Sequence, residues 1–333
     1  MIDRTIKRTN FKNSFINKKI IQPVISNEEN LVLIFFILII AVVTAILPKF
    51  RTIYNILTVI RQFSLITIAA MGQSIVLISG GFDLSIGNIV ALSNMAVAYM
   101  MVFLGWPIWL SVIAATLVGA LCGLINGVLV AKVKINPLIA TLAMGWIYSG
   151  VILVSSKGWP ITGLPKAFDV FGQGYFLGIP LPIYFMVFIG IILSLFLSRT
   201  VFGRYLYAIG GNEKASILAG LNSSNLRMLS YTICGTLAGF AGVVLVSRMG
   251  TAQADAGTPW TLPTVAAAVI GGVSLFGGKG KIYGVIIGSA ILGVISNILV
   301  LMKVSAYWQS LISGFILIMA VSIDAIRRRG QLI

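Results

Sequence analysis

The stretch IYGVIIGSAILGVISNILVLM, Ile282–Met302, runs for 21 residues without a charged side chain. A helix of about 20 residues rises about 30 Å, the thickness of the hydrocarbon core of a bilayer. The stretch therefore reads as a membrane span rather than as one face of a soluble domain. Comparable apolar runs occur at Leu31–Leu47, Phe63–Ser79, Ile86–Leu104, Ile108–Val130 and Leu138–Val154. Four more follow at Pro182–Leu197, Met228–Val246, Leu262–Phe276 and Tyr307–Ile323. Proline or glycine separates most of them, at Pro48, Gly80–Gly81, Pro107, Pro137, Pro180 and Gly277–Gly278. The expected fold is an all-α polytopic membrane protein of about ten transmembrane helices, the two shortest tilted or interrupted.

Composition supports this class. Of 333 residues, 58% are hydrophobic and 10% charged, and mean hydropathy is +1.03. A soluble domain carries about 25% charged residues to keep its surface wet. Thirty-five glycines fit helices that approach closely in lipid. The net charge of +16 would suggest nucleic acid in a soluble chain. Here the cations lie in short segments between apolar runs, where Lys and Arg mark the cytoplasmic side, so no nucleic-acid partner is expected. With the N-terminus inside and strict alternation, 17 of the 24 Lys and Arg fall inside and 7 outside. Both termini are thus expected in the cytoplasm. The chain divides into a tail at 1–30, a transmembrane domain at 31–323 and a basic tail at 324–333. Basic, polar residues precede the first run and no small-x-small site follows it, so that run reads as a retained helix rather than a cleaved signal.

Chemistry has few candidates. There is no histidine, which removes the commonest general base and metal ligand. Cys122 and Cys234 lie within apolar runs and read as small packing residues. GGKGK at Gly277–Lys281 lacks the GxxxxGK[ST] spacing of a phosphate loop, so its lysines hold topology rather than phosphate. Asp83, in GGFDLSIGN, is the one acid between two closely spaced runs. It caps a helix starting near Ser85 at the cytoplasmic surface, or it sits inside the membrane against a partner or a water-filled cavity. The two roles agree if the third helix starts within the membrane. Gly80, Gly81, Leu84 and Gly87 share GGxxLxxG spacing with Gly271, Gly272, Leu275 and Gly278, which fits an internal repeat or glycine abundance equally.

Two connections are long. Ser155–Leu181 is an expected outside loop containing Trp159, Pro160 and Pro165, and 198–227 is the long inside loop. In the latter, Gly210 and Gly211 suggest a flexible turn, Asn212 an N-cap and Glu213 a charge suited to a helix dipole. Lys214–Ala219 then make about two turns before Gly220 terminates them. On physical grounds this is an ordinary surface helix or a peg for a partner.

GGFDLSIGNIVALS, Asn136-Pro137 with IATLAMGWIYSGV, FGRYLYAIGGNEKASILAG and AAAVIGGVSLFGGKG occur in the order found in ribose-type permease subunits of ABC sugar importers, which the chain resembles from about Asn55 to Arg327. The resemblance implies a permease without its own ATPase, binding no cofactor itself while a partner ATPase uses ATP and Mg. It implies a second permease copy, as homodimer or paralogous heterodimer, and a periplasmic or lipid-anchored sugar-binding protein, in the bacterial cytoplasmic membrane. It makes Gly203, Arg204, Gly210, Gly211, Asn212, Glu213, Ala215, Ala219 and Gly220 the ATPase-coupling segment. Substrate-path candidates are Gln73, Asp83, Ser85, Asn88, Asn136 and Thr141. Where simple-sugar permeases often carry an acidic pair, this chain has GTPWTLPTVAA at Gly257–Ala267, with Thr261 and Pro263 in place of the acids. A monosaccharide or small polyol is the expected substrate, moved by alternating access. The alternative is an ion-coupled secondary transporter, which needs intramembrane carboxylates that only Asp83 could supply.

Overall fold

A computed structural model describes residues 28–305 and, beyond them, Trp308, Leu311, Ile312, Gly314, Phe315, Ile318, Met319 and Ser322. The expected run Tyr307–Ile323 falls largely outside the described residues, as do most of the first tail and all of the last. The described helices are α1 (Glu28–Ile46), α2 (Ile53–Ile78), α3 (Ile86–Val102), α4 (Ile108–Ala131), α5 (Pro137–Ser156) and α6 (Val170–Gln173). They continue as α7 (Leu181–Arg199), α8 (Val201–Gly211), α9 (Glu213–Leu218), α10 (Ser223–Met249), α11 (Thr261–Ile270) and α12 (Ile282–Leu301). A small antiparallel hairpin, β1 (Tyr175–Phe176) and β2 (Ile179–Pro180), lies between α6 and α7.

Local sequence explains the boundaries. The Thr52 side chain accepts from the Asn55 amide to start α2, and Asn136 accepts from Leu138 N to start α5, with Pro137 already suited to a first helical position. Gly250, at φ +71°, ends α10. Among the described residues, α2, α4, α5, α7, α10 and α12 are the six helices long and apolar enough to cross a membrane. Three apolar helices are shorter: Val32–Ile46, α3 and Thr258–Ile270. Nine of the ten expected runs thus coincide with apolar helices, six of spanning length and three shorter, and the tenth falls largely outside the described residues.

The helices alternate in direction, so the molecule has two ends. At one, Ser224 Oγ donates to Ala131 O at 3.1 Å, Gly278 N to Ile78 O at 2.9 Å and the Tyr207 hydroxyl to Gly280 O at 2.7 Å. This end carries α8 and α9. At the other, Ile161 and Ala252 form a β-bridge and Gly172 N donates to Ser247 Oγ at 2.8 Å, beside the hairpin. Among the described residues the α8–α9 end holds eight Lys and Arg (Lys132, Lys134, Arg199, Arg204, Lys214, Arg227, Lys279, Lys281). The hairpin end holds seven (Lys49, Arg51, Arg61, Lys157, Lys166, Arg248, Lys303). The bias behind the assigned orientation thus rests on the two tails.

Helix α10 forms the centre, with Tyr231, Cys234, Ala238, Ala241 and Val243 fully buried. It packs on α4 through a glycine stripe, Gly119, Gly123 and Gly127, spaced one per turn. A side chain at Gly119 would strike the backbone of Gly239, and one at Gly123 the Tyr231 carbonyl. Lipid offers no hydrophobic drive between helices, so such backbone contact supplies dispersion that bulkier residues would prevent. Cys122 and Cys234 are buried free thiols in this core.

Candidate functional site

Helix α2 ends at the α8–α9 end, and the chain then turns back into the bundle. Gly80, at φ +77°, donates to Leu77 O, and Gly81 N to Val76 O, both at 2.9 Å. The Tyr231 hydroxyl holds the next residue at both backbone groups, accepting from Phe82 N at 3.1 Å and donating to Phe82 O at 2.9 Å. Leu84 N donates to Thr141 Oγ1 at 2.9 Å. A side chain at Gly145 would meet the Ser85 Cα, and Gly145 lies eight residues, about 12 Å, along α5. Helix α3 therefore begins well inside the bundle, which is why it is short.

Asp83 is fully buried in this turn. Its Oδ1 accepts from Ser85 N at 2.8 Å and Ser85 Oγ at 2.7 Å, and its Oδ2 accepts from Asn126 Nδ2 at 3.3 Å. Asn126 also donates to Ser85 Oγ at 2.7 Å, and the Tyr148 hydroxyl donates to Asn126 Oδ1 at 3.0 Å. Carboxylate hydrogen bonds of this kind, rather than a cation, offset its burial among the described residues. The two readings of Asp83 merge with a correction. The residue organises the start of α3, but from within the protein. Ser85 takes the N-cap position, with no side-chain bond to a helix amide.

A second irregular segment meets this start. After α10 the chain descends along α3: Gln253 N donates to Asn94 Oδ1 at 3.2 Å, and Thr258 Oγ1 to Asn88 Oδ1 at 3.2 Å. A side chain at Gly87 would strike Thr261 Oγ1. Thus α3 and α11 both start at depth, with their N-terminal turns adjacent. Irregular backbone at membrane depth persists only where protein buries it or a watery cavity meets it. A groove of about 470 Å³ opens nearby, lined by Gly81, Phe82, Asn136, Leu138, Leu262 and Val265 among others.

The substrate-path candidates divide on this geometry. Gln73, Asp83, Ser85 and Thr141 are fully buried. Asn88 reaches accessible surface beside Thr258, and Asn136 lies on the groove wall. Sequence reasoning passed over Asn126, Tyr148, Tyr231 and Thr258. Asn126 carried a readable signal, as the one amide in the apolar run Ile108–Val130. The glycine echo is displaced by one residue. Ser79 and Gly271 cap their helices alike, and Gly80 and Gly272 follow with the same positive φ, so Gly80 corresponds to Gly272 and not to Gly271.

The long loop at 198–227, expected inside, folds into α8 and α9. Thr200 caps α8 by accepting from Gly203 N at 3.0 Å, and Gly203 packs against the Phe196 and Leu197 carbonyls. Arg204 is exposed. Asn212 caps α9, accepting from Ala215 N at 3.0 Å, and Gly220, at φ +83°, follows it. Gly210 and Gly211 do not form the expected flexible turn. They are the last two residues of α8, and Gly210 presses its backbone on the Ile78 carbonyl and Gly278 N. Close backbone contact is the reason for glycine there. Glu213 forms an ion pair with Arg227 at 3.0 Å, joining α9 to α10. Ala215 and Ala219 are exposed, as are Ile217 at 52% and Leu218 at 88%.

The described residues thus form a bundle of membrane-length apolar helices with buried polar turns at its interior, the build of a polytopic membrane protein. Residues 55–321 match the family described as branched-chain amino acid transport system / permease component, and the chain belongs to that family. It is 43% identical over 291 residues to the ribose import permease protein of Bacillus subtilis (strain 168), covering 87% of this chain and 90% of the relative. It is 40% identical over 296 residues to the ribose import permease protein of Escherichia coli (strain K12), covering 88% and 92%. With the D-allose transport system permease protein of the same strain it shares 36% over 293 residues, covering 87% and 90%. No solved structure matches the chain significantly. The protein is a multi-pass membrane permease.

Proposed function

We propose that the chain is the translocation subunit of an ATP-driven importer for a monosaccharide or related small polyol. The observation that carries this reading is its identity of 40% or more with ribose import permeases over about nine tenths of both chains. Helix α9 is the contact for a separate ATPase subunit, which hydrolyses ATP with Mg, and both termini lie on that cytoplasmic side. A sugar-binding protein delivers substrate at the hairpin end. A second permease copy faces the groove and completes the path, and membrane lipid covers the outer helix faces.

The geometry suggests how motion passes inward. The exposed tip at Ile217 and Leu218 fits a docking groove, and movement of α9 acts on α10 through Glu213–Arg227. Through Gly210 it acts on the end of α2, from which the 79–85 turn and the start of α3 hang. Asn88, Thr258 and Asn136 supply amide and hydroxyl groups suited to a polyol. No step requires a proton carrier. The ion-coupled alternative loses ground because Asp83, its one carboxylate, is already held by Ser85 and Asn126.

Reconstituted alone in liposomes, the chain should accumulate no sugar under a proton or sodium gradient. Adding the ATPase, binding protein and ATP should start uptake. Gradient-driven accumulation without nucleotide or partner would overturn the proposal.

A further inference from the structure

Near its start, α10 presents Arg227, Ser230 and Tyr231 at i, i+3 and i+4, on one face. The first reaches α9, where Arg227 Nη2 pairs with Glu213 Oε2 at 3.0 Å. The other two reach the turn that follows α2. Ser230 Oγ lies 2.9 Å from the Oγ of Ser79, the C-cap of α2. The Tyr231 hydroxyl accepts from Phe82 N at 3.1 Å and donates to Phe82 O at 2.9 Å. Phe82 in turn lines the groove. One helix face thus joins the exposed peg to the groove wall.

Tyr231 is the tightest joint in this series. Its side chain is fully buried, which holds the hydroxyl away from bulk water. Two bonds from one oxygen to the N–H and C=O of one residue leave Phe82 little freedom relative to α10. Gly81 keeps the approach open, because a Cβ there would stand 2.9 Å from the Tyr231 oxygen. Backbone satisfaction alone could be met from any neighbouring helix. Leu84 takes its partner from α5, through Thr141 Oγ1 at 2.9 Å. For Phe82 both partners come from the helix that α9 grips.

We propose that Tyr231 is a positioning residue that makes the groove wall follow α9. Displacement of α10 at Arg227 passes through the Tyr231 hydroxyl to Phe82. The proposal rests on the importer reading above, and adds to it the side chain through which motion at the ATPase contact reaches the substrate path. Coupling between two sites requires an element that both of them bias, and here that element is the first three turns of α10.

The test measures sugar uptake and ATP hydrolysis together, in proteoliposomes holding the full complex with its binding protein. In Tyr231→Phe, uptake per ATP should fall about fivefold or more, the low end of coupling between linked sites, while co-purification with the ATPase and the hydrolysis rate are kept. Gly81→Ala leaves every hydroxyl in place but crowds the Tyr231 oxygen away from Phe82. It should lower the ratio likewise, and it carries the test if Tyr231→Phe does not assemble. Arg227→Gln cuts the same path one step earlier, so combining it with Tyr231→Phe should lower the ratio no further than the stronger single change. A hydroxyl that serves only the fold predicts that uptake and hydrolysis fall together, with the ratio unchanged. That result, or single effects that multiply in the double variant, would overturn the role of Tyr231 and leave the importer reading intact. A wild-type complex that hydrolyses ATP without sugar uptake would instead overturn that reading and the proposal with it.

Discussion

At Asp83 a carboxylate takes three hydrogen bonds from protein donors, the longest of them from Asn126 at 3.3 Å. The two short bonds reach one oxygen, which an asparagine amide oxygen can replace. The other oxygen would become an NH2 group facing the Asn126 NH2, a mismatch at the weakest contact. Asp83→Asn should therefore cost about 1–2 kcal/mol, the scale of one poorly matched buried hydrogen bond, and keep much of the transport rate. Asp83→Leu strips partners from the Ser85 amide and hydroxyl together, and should lose folding or insertion along with activity. Uptake by the full complex, normalised to protein in the membrane, separates the two. An Asp83→Asn variant that inserts normally yet transports nothing would assign the carboxylate a charged role in the path.

Helix α9 is six residues long, too short to be stable alone in water, and it depends on its Asn212 cap and its ion pair to α10. Its outward residues contribute little to the fold. Leu218 is 88% exposed, so Leu218→Asp removes apolar contact surface without opening a cavity. This variant, and the double change Ala215→Arg with Ala219→Arg, should insert normally and lose co-purification with the ATPase. Unimpaired complex formation in both would place docking elsewhere. The neighbouring glycines argue for a tight linkage. Gly277, at φ +87°, lies against Gly210, so three segments meet backbone to backbone without a side chain to cushion relative motion.

Across the whole molecule, two short helices start at depth, and the segment leading to α11 lies beside α3 as irregular chain. If a watery path reaches it, a thiol there is accessible from solution. Thr258→Cys should react with a charged, membrane-impermeant thiol reagent in vesicles, while Gln73→Cys, fully buried between α2 and α10, should not. Cys122 and Cys234 are buried and contribute little background. Silence of Thr258→Cys from both sides of the membrane would mean that protein or lipid seals this segment.

The sequence by itself determined the class, because 10% charge and runs such as Ile282–Met302 leave lipid as the only solvent for the surface. It also located α9, since Asn212, Glu213 and Gly220 act on their own neighbours within a few residues. The partners of Asp83 were legible only at Ser85, two positions away. Asn126, Tyr148 and Tyr231 come from α4, α5 and α10, and hydropathy marks their runs without saying which faces meet. The starts of α3 and α11 were legible, in runs beginning at Ile86 and Leu262, but their depth was not. Only the packed bundle, by satisfying the backbone of 79–85 and 250–260 internally, places both starts inside the protein rather than at the membrane surface.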